Sequence, residues 1–153
     1  MPSRANRRGL IELERKAYDL RNAGRVKEAA ELFQVIVLER PDWEHGAALY
    51  SLANCHEDMG ELKLAEQRYR DALSYQPKNP IFIGGYASFL YLHGDARKAF
   101  QSFLELLAVE HRNGNQKGID NTIVALQSLG KKMGLSEQDV SEEVATALSQ
   151  TPK

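Results

Sequence analysis

The stretch that decides the fold is residues 49–77, LYSLANCHEDMGELKLAEQRYRDALSYQP. Gly60 divides it into two segments, and in each segment apolar residues recur at the spacing of one helix face. Pro77 then closes the second segment, because proline cannot continue a helix. The stretch therefore predicts two short antiparallel helices joined by a tight turn at Gly60.

The same pattern occurs three times, with turn glycines spaced by 36 and then 34 residues, and each glycine is expected to end its helix in the left-handed conformation. In each copy a small residue precedes the glycine by seven positions, an alanine follows it by five and an aromatic residue by nine. The positions are Ala17, Gly24, Ala29 and Phe33; Ala53, Gly60, Ala65 and Tyr69; and Ala87, Gly94, Ala99 and Phe103. Pro41 and Pro77 close the first two copies, and His111 takes that place in the third. This period is typical of a stacked helical array.

The pattern resembles the tetratricopeptide repeat. The second copy matches its signature best, with Leu49, Leu52, Ala53, His56 in the tyrosine position, Ala65, Tyr69 and Pro77. The third copy has Ile83, Tyr86, Ala87, Leu90, Ala99 and Phe103, and the first departs most, with Lys16 in the leucine position. The resemblance covers about residues 10–111. It implies an all-α, right-handed α-solenoid of antiparallel helix pairs, with repeats at about 10–43, 44–79 and 80–111.

After His111 the pattern stops. Arg112–Gly118 reads as a polar loop, and the apolar residues from Ile119 to Met133 predict an amphipathic helix. Ser136 and Asp139 form the signature of a capping box that begins a last helix. We therefore expect residues 118–150 to be a helical cap on the open end of the array, giving about eight helices, no sheet and one domain over 1–153.

Composition limits the partners and the location. The chain has 20 Lys and Arg against 21 Asp and Glu, a net charge of −1, which argues against electrostatic attraction to nucleic acid. RNA binding through Arg4, Arg7 and Arg8 is a minor alternative. No apolar run has the length of a membrane span and no secretory signal precedes the first repeat, so we expect a cytoplasmic protein with no membrane contact.

Signals of catalysis are absent from the sequence. It has no zinc-protease motif, no phosphate-binding loop and no nucleophile elbow, and its four histidines are not paired at the helical spacing of metal ligands. The only cysteine, Cys55, is expected to be a small buried residue, and His56 a packed, hydrogen-bonded one. We expect no enzyme activity, no cofactor and no metal.

The resemblance implies that the first helix of each pair lines a concave groove. By register the groove candidates are Glu14, Tyr18 and Arg21; Tyr50, Asn54 and Glu57; and Gly84, Ser88 and Tyr91. Tyrosine offers apolar area with a hydrogen-bonding tip, and asparagine can pair with a peptide bond of a ligand. Gly84 has no side chain, which predicts a pocket between Tyr50 and Tyr91. Glu14 and Glu57 would repel a carboxylate ligand and argue against the clamp that holds chaperone C-termini.

The leading hypothesis is a non-catalytic adaptor that binds a peptide or protein segment in this groove. A narrower version is a small bacterial chaperone, because those that serve type III secretion resemble this chain in size and repeat number. A second class is a self-associating scaffold, which a Trp43 exposed between the first two repeats would favour.

Overall fold

The computed structural model describes residues 4–150, and side chains from residue 6 onward. The all-α prediction is confirmed, because residues 4–150 contain eight α-helices and no strand. The helices are α1 (Arg4–Asn22), α2 (Val26–Glu39), α3 (Ala47–Asp58), α4 (Leu62–Tyr75), α5 (Pro80–His93), α6 (Ala96–Arg112), α7 (Gln116–Lys132) and α8 (Glu137–Ser149). No helix within these residues is long and apolar enough to cross a membrane.

The chain divides into two compact units. Unit 1 ends at Gln76 and contains α1 to α4, and unit 2 begins at Pro77 and contains α5 to α8. In unit 1, α1 packs against α2, α3 packs against α4, and α2 also packs against α3. In unit 2, α5 packs against α6, and α6 against both α7 and α8. The predicted single domain, with its repeat and cap boundaries, stays a prediction.

The alanines predicted at the helix seams are buried in every pair. Six of them have no exposed surface: Ala17, Ala29, Ala53, Ala65, Ala87 and Ala99. The repeat aromatics Phe33, Tyr69 and Phe103 are buried as well. Close packing of the two helix axes in each pair therefore depends on side chains no larger than a methyl group, since interiors leave no spare volume.

Two of the three predicted left-handed turn glycines have that conformation. Gly24 has φ +80° and Gly60 has φ +74°. The prediction is wrong for Gly94, which is extended with φ −121° and ψ −155°. A glycine is required at this position for a different reason, because a Cβ would lie 3.2 Å from the backbone Cα and O of Leu90.

The longer connection between α2 and α3 forms a left-handed turn. Glu44 (φ 47°), His45 (φ 53°) and Gly46 (φ 96°) lie consecutively in this region, which L-residues rarely occupy. Gln76 Nε2 donates a 2.8 Å hydrogen bond to the His45 carbonyl and holds the turn on the end of α4. The turn carries Trp43 inward, where it is only 3% exposed. The expectation that Trp43 is exposed is therefore wrong.

The connections of unit 2 differ from the predicted loop. With His111 in place of proline, α6 continues to Arg112, and α7 already begins at Gln116. The predicted polar loop at 112–118 is therefore shorter than expected, because Asn115 Oδ1 caps α7 by accepting from the Gly118 N–H at 3.2 Å. The predicted capping box at Ser136 and Asp139 is confirmed at the start of α8.

Candidate functional site

The first-helix face of unit 1 is formed by α1 and α3, which carry six of the nine groove candidates. Two polar links join these helices. The hydroxyl of Tyr18 lies 2.8 Å from Ser51 Oγ, and Arg21 Nη2 donates to Asp58 Oδ2 at 3.2 Å. Ser51 and Asp58 were not singled out from the sequence, because their role depends on a partner one repeat away. The links join α1 to α3, and both helices also pack against α2.

Tyr50, Asn54 and Glu57 form one network around the buried Tyr69 of α4. The Tyr69 hydroxyl lies 2.8 Å from Asn54 Oδ1 and 2.5 Å from Glu57 Oε2, and its single proton is shared between these two acceptors. Burial raises the pKa of Tyr69, and Glu57 raises it further, so the hydroxyl stays protonated. The half-buried Tyr50 packs edge-on against the Tyr69 ring, with centroids 5.7 Å apart. Asn54 is predicted to pair with a peptide bond of a ligand, but its side-chain oxygen is already hydrogen-bonded within the fold.

Glu14 is a second half-buried acid of this face, in addition to Glu57, and it lies near the turn that holds Trp43. Burial raises the pKa of Glu14, the indole N–H of Trp43 lowers it, and the negative charge of Glu44 raises it again, with a net increase. Trp43 Nε1 makes no hydrogen bond of standard geometry with a described residue.

The first-helix face of unit 2 is formed by α5 and α7. Gly84 is half-buried, Ser88 is exposed and Tyr91 is half-buried. The Tyr91 hydroxyl lies 2.8 Å from Ser128 Oγ on α7, and Lys132 Nζ lies 4.4 Å from the centre of the Tyr91 ring. These contacts join α5 to α7 as Arg21 and Asp58 join α1 to α3, with the same separation of 37 residues.

All three predicted tyrosines pack edge-on against the repeat aromatic of their own helix pair. The pairs are Tyr18 with Phe33 (5.2 Å, 75°), Tyr50 with Tyr69 (5.7 Å, 66°) and Tyr91 with Phe103 (6.4 Å, 87°). Edge-to-face geometry is favourable for aromatic rings and restricts their rotation. The tyrosines are therefore held in place before a ligand binds. The predicted pocket between Tyr50 and Tyr91 combines residues of both units and stays a prediction.

Exposed apolar residues on unit 2 were missed at the level of sequence. Ile81 is 66% exposed, Leu92 is 68% exposed and Val124 on α7 is 64% exposed. One signal was available: α5 contains no Asp, Glu, Lys or Arg. A helix without charge is usually buried on all sides, and this one is not.

The thiol of Cys55 and the imidazole of His56 are both held within the fold. Cys55 is fully buried, and burial raises the pKa of its thiol to about 11, so it is not a nucleophile at neutral pH. His56 is half-buried, with Nδ1 2.6 Å from Glu61 Oε2, as expected of a packed histidine. No group of His, Cys, Asp and Glu within the described part of the chain could hold a metal ion.

Comparison with known proteins defines the class of this fold. The chain is similar to the Yersinia enterocolitica type III secretion chaperone SycD, solved in complex with a peptide of the translocator YopD (20% identity, 82% of this chain and 95% of that one, TM-score 0.72). It is also similar to PcrH from Pseudomonas aeruginosa (18% identity, 84% and 95%, TM-score 0.70). A third similar structure contains nearly identical TPR-like repeats from Podospora anserina (17% identity, 94% of this chain and 77% of that one, TM-score 0.69).

The match in sequence is more specific. Residues 20–80 match the family model of the tetratricopeptide repeat. The prediction of tetratricopeptide repeats is thereby confirmed for residues 20–80. No curated protein matches the chain in sequence.

Proposed function

We propose that this chain is a non-catalytic interaction module that binds a peptide or protein segment on its first-helix faces. The observation that carries the proposal is the fixed state of Tyr18, Tyr50 and Tyr91. Each ring is packed edge-on and each keeps some exposed surface. A surface that is ordered before binding loses little side-chain entropy when it takes up a ligand.

The states of Cys55 and His56 support a role without catalysis. The only thiol is buried and protonated, and His56 is paired with Glu61. We place the protein in the cytoplasm and assign it no cofactor.

A chaperone of a secreted protein is the narrower candidate. It is favoured by the similarity to SycD and PcrH, which extends over more than four fifths of this chain. The SycD structure contains a peptide of YopD, so a helical array similar to this one accommodates a peptide from a partner. In this chain we propose the same mode, with a partner segment on the first-helix faces.

Self-association is the second class of function. Trp43 does not support it, because this side chain is buried and cannot contact a second copy of the chain. A homodimer would instead use exposed apolar residues such as Leu92 and Val124. Light scattering over a hundredfold range of protein concentration separates this alternative from a monomeric adaptor.

Site-specific photo-crosslinking in cells tests the proposal. A photoreactive phenylalanine replaces Tyr18 or Ser88 on the first-helix faces, or the exposed Lys63 on α4 as the matched control. We expect Tyr18 and Ser88 to cross-link a defined segment of another protein, located by mass spectrometry of the joined peptides, and Lys63 not to do so. Cross-links only to a second copy of the chain would favour self-association. Cross-links only from Lys63 would contradict binding on the first-helix faces.

A further inference from the structure

The open side of α5 is an apolar strip without charge. Ile81, Ser88 and Leu92 lie on this side and are exposed, and Gly84 lies between them. Ile81 and Leu92 are eleven residues apart in a helix, which places them roughly 16 Å apart along its axis. A charged partner segment would find no counter-charge on this helix, whereas an apolar one would bury two large side chains.

Gly84 has no explanation within the fold. It lies in the interior of α5, where glycine is among the poorest helix formers. A Cβ at this position would lie 3.6 Å from Leu106 Cδ2, an ordinary van der Waals distance, so alanine would fit. Packing within unit 2 therefore does not require glycine. A missing side chain on a half-exposed face admits the close approach of an external chain.

The neighbouring helix α7 adds an apolar contact and a cation. Val124 is exposed one turn before Ser128, the residue bonded to Tyr91. Lys132, one turn after Ser128, lies over the Tyr91 ring and has no carboxylate within ion-pair distance among the side chains that the structure describes. The face therefore carries one unpaired positive charge beside the Leu92 end of the apolar strip.

We propose that this α5–α7 face binds a short apolar segment of a partner protein with one acidic side chain at the end that meets Lys132. The face consists of Ile81, Gly84, Ser88, Leu92, Val124 and Lys132. The apolar side chains of the segment pack on Ile81, Leu92 and Val124, its main chain crosses Gly84, and its carboxylate pairs with the Lys132 ammonium group. The inference rests on the proposed function and specifies the ligand chemistry of unit 2.

Fluorescence anisotropy with defined peptides tests this inference on the full chain. The probes are fluorescein-labelled octapeptides with three Leu or Val residues in a Ser/Ala background, amidated at the C-terminus, with a last residue of Glu, Gln or Lys. We expect the Glu peptides to bind wild type about fivefold more tightly than the Gln peptides, and the Lys peptides to bind least. Lys132→Gln should remove the preference for Glu and retain binding of the Gln peptides. Lys63→Gln, a change of an exposed lysine on α4, is the matched control and should keep the preference.

The apolar part of the face is tested by Gly84→Leu and Leu92→Ser. Gly84→Leu should weaken all peptides by about tenfold through loss of the close approach. Gly84→Ala should weaken peptide binding less than Gly84→Leu does, and its melting temperature should equal or exceed that of wild type. Weaker binding by a variant that is as stable as wild type is not caused by unfolding. Leu92→Ser should weaken binding, whereas Leu38→Ser, at a comparably exposed leucine of α2, should not.

The results separate this inference from the proposed function. Cross-links from Ser88 to a partner, combined with peptide binding that ignores the last residue or with no peptide binding, would overturn the inference and leave the proposed function standing. A Leu92→Ser variant that dissolves a wild-type dimer would also overturn it, in favour of a second copy as the occupant. Absence of both cross-links and peptide binding would count against the proposed function itself.

Discussion

Tyr69 on α4 donates a hydrogen bond to Glu57 on α3, across 2.5 Å, while its ring is almost completely buried. The repeat aromatic of this pair therefore has two functions. Its ring fills the space between the helices, and its hydroxyl fixes a carboxylate and the Asn54 amide on the first-helix face of unit 1. The other two pairs have phenylalanine at this position, Phe33 and Phe103, and lack the second function.

Tyr69→Phe should keep the packing of the buried ring and remove the hydrogen bonds of the hydroxyl to Asn54 and Glu57. The buried ring has the same shape, but Asn54 and Glu57 lose their common donor. We expect the free energy of unfolding to fall by about 1 kcal/mol, because both acceptors are half-buried and regain some hydration. Urea denaturation followed by circular dichroism measures the change.

The control for this change is Tyr75→Phe, at an exposed tyrosine of the same helix. Its unfolding free energy should stay within about 0.5 kcal/mol of wild type, as is usual for surface substitutions. Equal losses for Tyr69→Phe and Tyr75→Phe would contradict a specific role of the Tyr69 hydroxyl.

The turn glycines should respond differently to alanine and asparagine. Gly60 has φ +74° and no atom near the position of a Cβ. Alanine at this position should lower the free energy of unfolding by about 1 kcal/mol through backbone strain. Asparagine should lower it less, because asparagine tolerates the left-handed region. At Gly94 the strain is absent, but a Cβ would press on the Leu90 backbone at 3.2 Å. Alanine and asparagine at Gly94 should therefore destabilise equally, by about 1–3 kcal/mol.

Thermal and urea unfolding of these four variants decide between the two causes. Relief by asparagine at Gly94 would indicate backbone strain there, against the extended conformation of this residue. If asparagine and alanine at Gly60 lower the free energy of unfolding equally, the positive φ of Gly60 is not the cause of the destabilisation.

Cys55 should be unreactive in the native protein. It is fully buried, and burial raises its pKa to about 11, so at pH 8 the thiol is both inaccessible and protonated. Ellman's reagent should react slowly with the folded chain and rapidly in urea. Because this is the only cysteine of the chain, the signal has a single source. A rapid native reaction would mean that α3 opens locally without global unfolding.

The sequence by itself determined the helix pairs and the small residues where their helices meet. The residues that specify these features act on neighbours a few positions away. Gly24 and Gly60 adopt the left-handed turn, Pro41 and Pro77 follow the helix ends, and the paired alanines are buried. Ser136 and Asp139 likewise cap α8 as predicted from four residues alone. Local conformational preference and helical period are sufficient for such features.

The candidate site was predictable only in part. Register placed Tyr18, Tyr50 and Tyr91 on the first helices, and their rings are partly exposed there. The helical period could not show that the hydroxyls of Tyr18 and Tyr91 are hydrogen-bonded, or that Asn54 is bound to Tyr69. Those contacts depend on the rotamers of two side chains at once.

Tertiary structure alone decided the contacts between neighbouring helix pairs. The Tyr91–Ser128 and Arg21–Asp58 links join residues 37 positions apart, and their partners can be recognised only once the helices are side by side. The burial of Trp43 required a left-handed turn at Glu44 and His45, residues that do not favour that conformation. Packing in the folded chain offsets the strain of this left-handed turn. A local pattern in the sequence does not show that packing.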